Sequence, residues 1–196
     1  MEYNGIVYVS CDFGIVQFNL STLQFGDTYF IGPAGQEVKI YQTTIYNNEI
    51  YAVTENYGIR KAVISNPNLN DFAQWQIFGG GFWNGIVTFN NQLVAYNKNN
   101  RIYKHSGAVF SEILNVGQAG LDIRATANYL IATTSTSVSI FNTQLVLVRQ
   151  INSSQITESN PSFTCATSID DKVYIGTKED GLLSTTISLG SFFDNN

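Results

Sequence analysis

The stretch GIVYVSCDFGIV at residues 5–16 decides the fold, because the same pattern returns four more times along the chain. The other copies are EIYAVTENYGIR at 49–60, QLVAYNKNNRIY at 92–103, YLIATTSTSVSIF at 129–141 and KVYIGTKEDGLL at 172–183. Their anchor residues, Val7, Ile50, Leu93, Leu130 and Val173, are separated by 43, 43, 37 and 43 residues. This period is typical of a β-propeller blade, whereas helical solenoids repeat at about 34 residues. Apolar alternation close to every second residue also indicates strands.

Each copy belongs to a longer unit that predicts four antiparallel strands. A turn, in most units rich in Asn or Asp, precedes the anchor residue, and Gly14, Gly58 or Gly181 marks the next turn. Fourth strands are predicted at FGDTYFIG (25–32), QWQIFGG (74–80), FSEILNV (110–116) and LVLVRQI (145–151). Four-stranded antiparallel sheets at this period predict an all-β protein made of propeller blades.

The first and last units look incomplete in the sequence. The first has only Glu2 and Tyr3 for its innermost strand, and the last is predicted to lack a fourth strand. Three complete and two partial blades predict that 1–196 is a single propeller domain or a segment of a ring of about seven blades. The alternative is a closed five-bladed propeller, in which the tail SFFDNN (191–196) completes the first blade. Open blade edges would favour a homodimer.

The composition excludes several classes of partner. Hydrophobic residues make up 44% of the chain and charged residues 13%, with a formal net charge of −5. A protein that neutralises phosphates needs a basic stripe, and none is visible, so no nucleic acid is expected as a partner. No apolar run predicts a membrane span, and no signal-peptide pattern is present. Cys11 and Cys165 are predicted to be buried free thiols.

The sequence offers little for catalysis, and we predict a protein that is not an enzyme and has no cofactor or metal. The one histidine, His105, precedes Ser106 in a predicted strand, where neighbouring side chains point to opposite faces. A zinc site needs three or four ligands, which one His and two distant Cys do not supply. Paired carboxylates of a glycosidase could come from equivalent turns, although turn chemistry also explains these acidic residues: Asp12, Glu55, Glu179 and Asp180.

A ligand-binding surface is predicted where blade connections and turns share one face. Trp83 lies on a blade-to-blade connection and is expected to be exposed there. The other candidate ligand-binding residues lie in or beside the turns between second and third strands: Phe13, Tyr57, Lys98 and Arg101. Aromatic faces with a few donors suit a glycan, and plain packing is the alternative interpretation. An anionic ligand would require Lys98, Arg101 and Arg60 to concentrate positive charge locally.

Longer strings carry a more specific resemblance. They are NGIVYVSCDFGIVQFNLSTLQFGDTYFIG (4–32), YNNEIYAVTENYGIRKA (46–62), NPNLNDFAQWQ (66–76) and DDKVYIGTKEDGLL (170–183). Together they resemble the N-terminal propeller of PorZ-like components of the type IX secretion system of Bacteroidota. The pattern VYIGT..DGL, at Val173 to Leu182, is also similar to two-component-regulator propeller repeats, and it is the less specific of the two signals.

The resemblance implies a function for a parent protein larger than this chain. Such a protein would be a cell-surface or periplasmic component that helps to attach secreted cargo to anionic lipopolysaccharide, with the propeller as a non-catalytic binding or scaffold module. Its expected partners are a glycan, lipopolysaccharide or proteins of the secretion complex. The alternative is a periplasmic ligand-sensing propeller of a hybrid two-component regulator, and a propeller glycosidase or lyase ranks third.

Overall fold

The structure is a computed structural model that describes residues 1–107, 109–156, 160–188 and 192–193. Its regular structure is almost entirely strand, and the described helical turns are three-residue 3₁₀ segments. The strands form five antiparallel sheets of four strands, which are the blades of the predicted propeller. The all-β fold class is therefore confirmed.

The chain divides into two compact units, Met1–Thr88 and Phe89–Asn196. The first unit contains blade 1 and blade 2. Blade 1 consists of β1 (Glu2–Tyr3), β2 (Ile6–Ser10), β3 (Ile15–Asn19) and β4 (Gln24–Tyr29). Blade 2 consists of β5 (Ile40–Tyr46), β6 (Glu49–Thr54), β7 (Ile59–Val63) and β8 (Gln76–Gly79).

The remaining strands form three further blades. Blade 3 consists of β9 (Trp83–Phe89), β10 (Gln92–Asn97), β11 (Arg101–His105) and β12 (Phe110–Asn115), and the unit boundary falls near the end of β9. Blade 4 consists of β13 (Gly120–Ala125), β14 (Leu130–Thr134), β15 (Ser137–Phe141) and β16 (Leu147–Asn152). Blade 5 consists of β17 (Phe163–Ile169), β18 (Lys172–Thr177), β19 (Leu182–Thr186) and β20 (Phe192–Phe193).

The prediction that each end blade lacks a strand is wrong, because both have four strands. Glu2 pairs with Val7 in blade 1, so the innermost strand exists with only two residues. In blade 5, Phe192 pairs with Thr185, which makes this short segment the fourth strand of the last blade. The alternative in which the tail completes the first blade is therefore wrong for 192–193, and residues 191 and 194–196 lie outside the described residues.

Turn chemistry explains why the hairpins form where the sequence places them. Asn47 and Asn48 have φ of 48° and 60°, and Asn90 and Asn91 have φ of 46° and 55°. Two consecutive residues with positive φ are the requirement of a two-residue hairpin turn of the primed type, and Asn tolerates this conformation better than most residues. The predicted first turns of blades 2 and 3 are thereby confirmed.

Each unit buries its own apolar core. In the first unit the core lies between blades 1 and 2 and includes Tyr8, Ile15, Ile50 and Trp75. In the second unit the main cluster joins blades 4 and 5 and includes Ile140 and Ile175 among its buried residues. Stacked blades need an apolar layer on both faces of each sheet, which explains the chain's high content of Ile, Val and aromatic residues.

The described part of the chain has no helix with the length and apolarity needed to cross a bilayer.

Candidate ligand-binding site

The candidate site is built on two glycine-closed turns of the first unit. In the β2–β3 turn, the backbone N–H of Cys11 donates to the carbonyl of Gly14 at 2.9 Å. The β6–β7 turn repeats this bond between Thr54 and Gly58 at 2.9 Å, and Gly58 has φ of 71°. A Cβ on Gly58 would collide with the carbonyl oxygen of Gly79, so the blade connection presses directly on this turn. Glycine is required there by both conformation and space.

The two turns lie next to each other because one segment hydrogen-bonds to both. The N–H of Val38 donates to the carbonyl of Phe13 at 3.3 Å, and the N–H of Glu55 donates to the carbonyl of Lys39 at 2.9 Å. The rings at the tips of the turns are exposed, with 40% of Phe13 and 39% of Tyr57 accessible to solvent. The structure therefore brings these two predicted site residues to the same end of the first unit.

A polar cluster lies between the two turns. Lys39 Nζ forms a salt bridge with Asp12 Oδ1 at 2.9 Å and lies 5.9 Å from the centroid of the Tyr41 ring. The hydroxyl of Tyr41 donates to Glu55 Oε1 at 3.4 Å, which is a weak bond. The hydrogen bond to Asp12 raises the pKa of Lys39, so the ammonium is fully charged at neutral pH. Lys39, which directly precedes β5, was not among the residues predicted for the site, since nothing in the surrounding sequence marks it.

Arg60 lies beneath Tyr57 and is buried, with only 5% of its surface accessible. Its guanidinium carbon is 5.0 Å from the centroid of Phe72 and 6.0 Å from that of Tyr57. Nη1 donates to the carbonyl of Trp75 at 3.4 Å, and Nε is buried without a hydrogen-bond partner among the described residues. Burial lowers the pKa of Arg60, although an arginine stays charged in proteins.

The predicted exposure of Trp83 is wrong. The side chain is 8% exposed, and its Nε1 donates to the carbonyl of Gly80 at 2.8 Å. The ring turns into the protein because it opens β9, whose pattern is buried at Trp83, Gly85, Ile86, Val87 and Phe89. Trp83 is therefore a core residue whose indole N–H is satisfied locally, which is how buried Trp is normally accommodated.

Lys98 and Arg101 belong to the second unit and are described separately. Lys98 is exposed in the β10–β11 turn, where Asn97 Oδ1 accepts hydrogen bonds from the backbone N–H of Asn99 at 3.0 Å and of Arg101 at 3.1 Å. Arg101 pairs with Glu112, and this hydrogen bond raises the pKa of the guanidinium. The charge of Arg101 is thus partly neutralised within its own blade.

The remaining candidates for chemistry have structural surroundings. The His105 ring packs edge-on against Phe110, with centroids 5.1 Å apart, and its Nδ1 accepts from the N–H of Gly107 at 3.3 Å. The described residues contain no group of three or more metal-binding side chains. Cys11 and Cys165 are free thiols, but Cys165 is exposed and Cys11 partly so, which corrects the predicted burial. Cys165 points outward because β17 is exposed at residues 164 and 165.

Comparison with known proteins agrees with this architecture. Residues 1–76 match the family described as the N-terminal β-propeller domain of PorZ of the type IX secretion system. No curated protein matches the chain. The structure of PorZ, a surface component of that system in Porphyromonas gingivalis, superposes over 100% of this chain with a TM-score of 0.78 and 14% identity.

Two regulators have the same fold. The extracellular domains of putative hybrid two-component systems BT4673 and BT3049 of B. thetaiotaomicron superpose over 97% and 98% of the chain, with TM-scores of 0.76 and 0.67 and identities of 14% and 13%. The chain spans about a quarter of the length of PorZ and of each regulator domain, at 25%, 28% and 27% respectively. The predicted resemblance is therefore confirmed: residues 1–76 match the family of PorZ N-terminal propellers, and the five blades share the fold of PorZ and of the two regulator domains.

Proposed function

We propose that the chain is a non-catalytic binding or scaffold propeller in a surface complex of the type IX secretion system. The family match over residues 1–76 supports this assignment. The corresponding location is the cell surface or the periplasm, and the partners are a glycan, lipopolysaccharide or proteins of the secretion complex. Involvement in lipopolysaccharide delivery and cargo attachment belongs to this proposal.

The observation that carries the binding role is the pair of exposed rings on adjacent turns. Phe13 and Tyr57 each keep about two fifths of their surface in solvent, at 40% and 39%, although glycine-closed turns hold them in place. Rigid exposed aromatic faces offer apolar contact at low entropic cost, and Lys39 and Asp12 beside them supply a donor and an acceptor. This combination suits the alternating apolar and hydroxyl faces of a sugar. In the second unit, Lys98 is proposed as a separate contact.

A scaffold role fits the chemistry of the same turns better than hydrolysis does. Asp12 is held in a salt bridge with Lys39, and Glu55 accepts from the Tyr41 hydroxyl. A retaining or inverting glycosidase needs one carboxyl group with a raised pKa that serves as the acid. Asp12 and Glu55 are instead each held by a neighbouring side chain, which suits a structural role in the turns.

The sensor propeller of a hybrid two-component regulator remains the second candidate. The fold similarity to BT4673, with a TM-score of 0.76, is nearly equal to that with PorZ at 0.78. The parent gene separates the two functions, because a sensor continues into a membrane helix and a kinase, whereas a secretion component continues into further extracellular domains.

Binding is tested with the double variant Phe13→Ala/Tyr57→Ala. We expect affinity for a purified anionic lipopolysaccharide, or for the glycan that a sugar array selects, to fall by about tenfold or more, as loss of two aromatic contacts predicts. Phe25→Ala is the matched control, since Phe25 is 74% exposed at the opposite end of blade 1. Equal affinities of the double variant and the wild-type chain would exclude this surface as the binding site.

A further inference from the structure

A cavity of about 230 Å³ lies on one face of blade 1, at the end opposite the β2–β3 turn. Its lining comes from the start of β2, the end of β3, the β3–β4 turn and the start of β4. Thr22, Gln24 and Gly26 are exposed at its rim, so the cavity is open to solvent, whereas Ile6, Gln17 and Asn19 are partly buried. Pockets for drug-sized ligands hold roughly 300–1,000 Å³, so this one suits a single small unit of a ligand.

Gly26 leaves the space over the Gln17 amide empty. The register of β3 and β4 shifts between Val16 and Phe18, which places Gly26 beside Gln17 in a bulge. A Cβ on Gly26 would lie 3.0 Å from Gln17 Oε1 and 3.3 Å from Gln17 Cβ. The Nε2 of Gln17 donates to the hydroxyl of buried Tyr29, so Oε1 is the atom of this amide that faces the cavity. Gln17 therefore offers the cavity an acceptor.

Asn19 offers the cavity a donor. Its Oδ1 accepts from the backbone N–H of Ser21 at 2.8 Å, from Ser21 Oγ at 2.7 Å and from the N–H of Thr22 at 3.1 Å. These bonds form an Asx turn that fixes the side chain and occupies its oxygen. The amide nitrogen is the part of Asn19 that donates, and its two N–H groups are not used by the described residues.

The acceptor, the donor and an apolar side chain lie side by side on one face of the sheet. Gln17 and Asn19 are two residues apart on β3 and point to the same face, and Ile6 pairs with Asn19 across β2 and β3. An acetamido group fits this set, because its N–H donates to Gln17 Oε1, its carbonyl accepts from Asn19 Nδ2 and its methyl group contacts Ile6. None of the seven lining residues is charged, which favours a neutral ligand.

We infer that this cavity binds the acetamido group of an N-acetylated sugar. Thr22 and Gln24 at the rim carry a hydroxyl and an amide, which supply hydrogen bonds to the hydroxyl groups of the sugar ring. The inference adds a second binding site at the other end of blade 1 and does not depend on the surface formed by Phe13 and Tyr57.

The ring of Phe25 takes no part in these contacts, although Phe25 borders the cavity. Phe25 pairs with Phe18, and their rings meet edge to face with centroids 5.2 Å apart. Phe18 follows Gln17 on β3, so this ring pair lies on the opposite face of the sheet. Phe25→Ala is therefore expected to leave the acetamido contacts in place.

The direct test observes the side-chain amide groups of the intact chain by NMR. The signal of Asn19 Nδ2 is assigned from its loss in Asn19→Asp. We expect N-acetylglucosamine to shift this signal saturably, whereas glucose and glucosamine, which lack the acetamido group, leave it in place. A capped peptide, N-acetylalanine methylamide, should shift it less than N-acetylglucosamine does, because it has no ring hydroxyls for Thr22 and Gln24.

Variants of the lining give a second readout by calorimetry. Asn19→Asp keeps the oxygen that holds the turn but loses the donor, so the affinity for N-acetylglucosamine should fall by about tenfold. Gly26→Ala should weaken binding as well, because its Cβ enters the cavity beside Gln17. Gly80→Ala is the matched control, since a Cβ on Gly80 meets nothing within 4 Å. Thermal unfolding identifies any variant that fails to fold, and Asn19→Asp still tests the site if Gly26→Ala is unfolded.

The outcomes separate this inference from the proposed function. The variant Phe13→Ala/Tyr57→Ala should respond to N-acetylglucosamine like the wild type, even if that surface binds no glycan. Equal shifts with glucose and N-acetylglucosamine overturn the acetamido assignment, and an equal shift with the capped peptide overturns the choice of a sugar. An Asn19 signal that responds to none of these compounds overturns the cavity as a binding site.

Discussion

Because Trp83 is buried, we expect its substitution to affect the stability of the fold. Replacing it with Ala removes a large buried ring and the hydrogen bond to Gly80. We expect Trp83→Ala to lower the free energy of unfolding by about 3–5 kcal/mol, as truncation of a buried aromatic side chain does. Chemical denaturation followed by circular dichroism measures the change. Tyr57→Ala, at a half-exposed ring, should cost much less, and equal losses for the two variants would contradict the assignment of Trp83 to the core.

Residue types predicted the turns of this protein better than they predicted exposure. Asn47, Asn48 and Gly58 follow from the backbone conformations that hairpins require, and those conformations depend on the residue itself. The exposure of Trp83 and Arg60 depends on packing between blades. Both faces of a propeller sheet are covered, so strand alternation does not distinguish a buried side chain from an exposed one. The burial of Arg60 without a carboxylate partner among the described residues could be found only in the structure.

At the scale of elements, one ion pair gives the pairing of β6 with β7 a pH dependence. Glu49 accepts from Lys61 Nζ at 2.8 and 3.0 Å and from the Tyr51 hydroxyl at 2.6 Å. Partial burial alone would raise the pKa of Glu49, but these bonds from Lys61 and Tyr51 outweigh it and hold the pKa below its ordinary value of 4.5. A carboxylate whose pKa is lowered by folding stabilises the folded state at pH values above its pKa in the unfolded chain. This contribution is lost as the pH falls through the pKa of the folded state.

We predict that removing the carboxylate of Glu49 makes the free energy of unfolding depend less on pH in the acidic range. Glu49→Gln should reduce the loss of stability on acidification from pH 5 downward, while lowering stability at neutral pH by about 1 kcal/mol or less. Urea denaturation at a series of pH values measures both effects. Asp27→Asn is the control for a general change in charge. A pH profile of Glu49→Gln parallel to that of the wild type would show that the pair does not contribute.

Blade packing in the second unit depends on the absence of a side chain at Gly120. A Cβ at this position of β13 would overlap the ring of Tyr96, which is fully buried on β10. Gly120→Ala should therefore destabilise the fold by about 1–3 kcal/mol through overpacking. Thermal unfolding measures the loss. Adding Tyr96→Leu removes the obstructing ring atoms, so the double variant should lose less than the sum of the two single variants; strict additivity would rule out the steric explanation.

Long strands were predictable from the sequence, and the shortest ones were not. The predicted fourth strands at 74–80 and 110–116 contain the observed β8 and β12, because each segment has several apolar residues at the expected place in the repeat. The strands β1 and β20 have two residues each, which is too short for any alternation to register. Their pairing is set by the neighbouring strand and by tertiary context, which explains why both end blades looked incomplete.

At the scale of the whole molecule, the repeat predicted the number and kind of blades because period is a global property of the sequence. Five anchors spaced by 37 or 43 residues correspond to five four-stranded sheets. The resemblance to PorZ-type propellers was also visible in the sequence, and residues 1–76 match that family. The organisation of 1–196 as a single domain stays a prediction. Ligand chemistry could not be predicted at this scale, since it depends on a few side chains that converge from separate turns.

We propose that open blade edges support a homodimer, and the outer edge of blade 1 is the best place for it. The strand β4 bonds to β3 on one side and is the last strand of its sheet. Four successive residues of β4 are exposed, and Leu23 and Phe25 beside and within it expose 71% and 74% of their side chains. An exposed apolar edge is a template for a strand of a second copy. Asp27 is the one charged residue of this strand.

The variant Phe25→Lys replaces the most exposed apolar side chain of this edge with a charged one and tests the proposal. Light scattering during size exclusion should give a mass that rises from 21.7 kDa toward a dimer as wild-type concentration increases, because two β4 edges can pair about a two-fold axis. Phe25→Lys should stay at the monomer mass over the same range, since the edge loses its largest exposed apolar side chain and gains a charge. Phe13→Lys, at the other end of blade 1, should dimerise like the wild type. A wild-type mass of 21.7 kDa at every concentration would eliminate the dimer, and dimerisation of Phe25→Lys would move the contact away from β4.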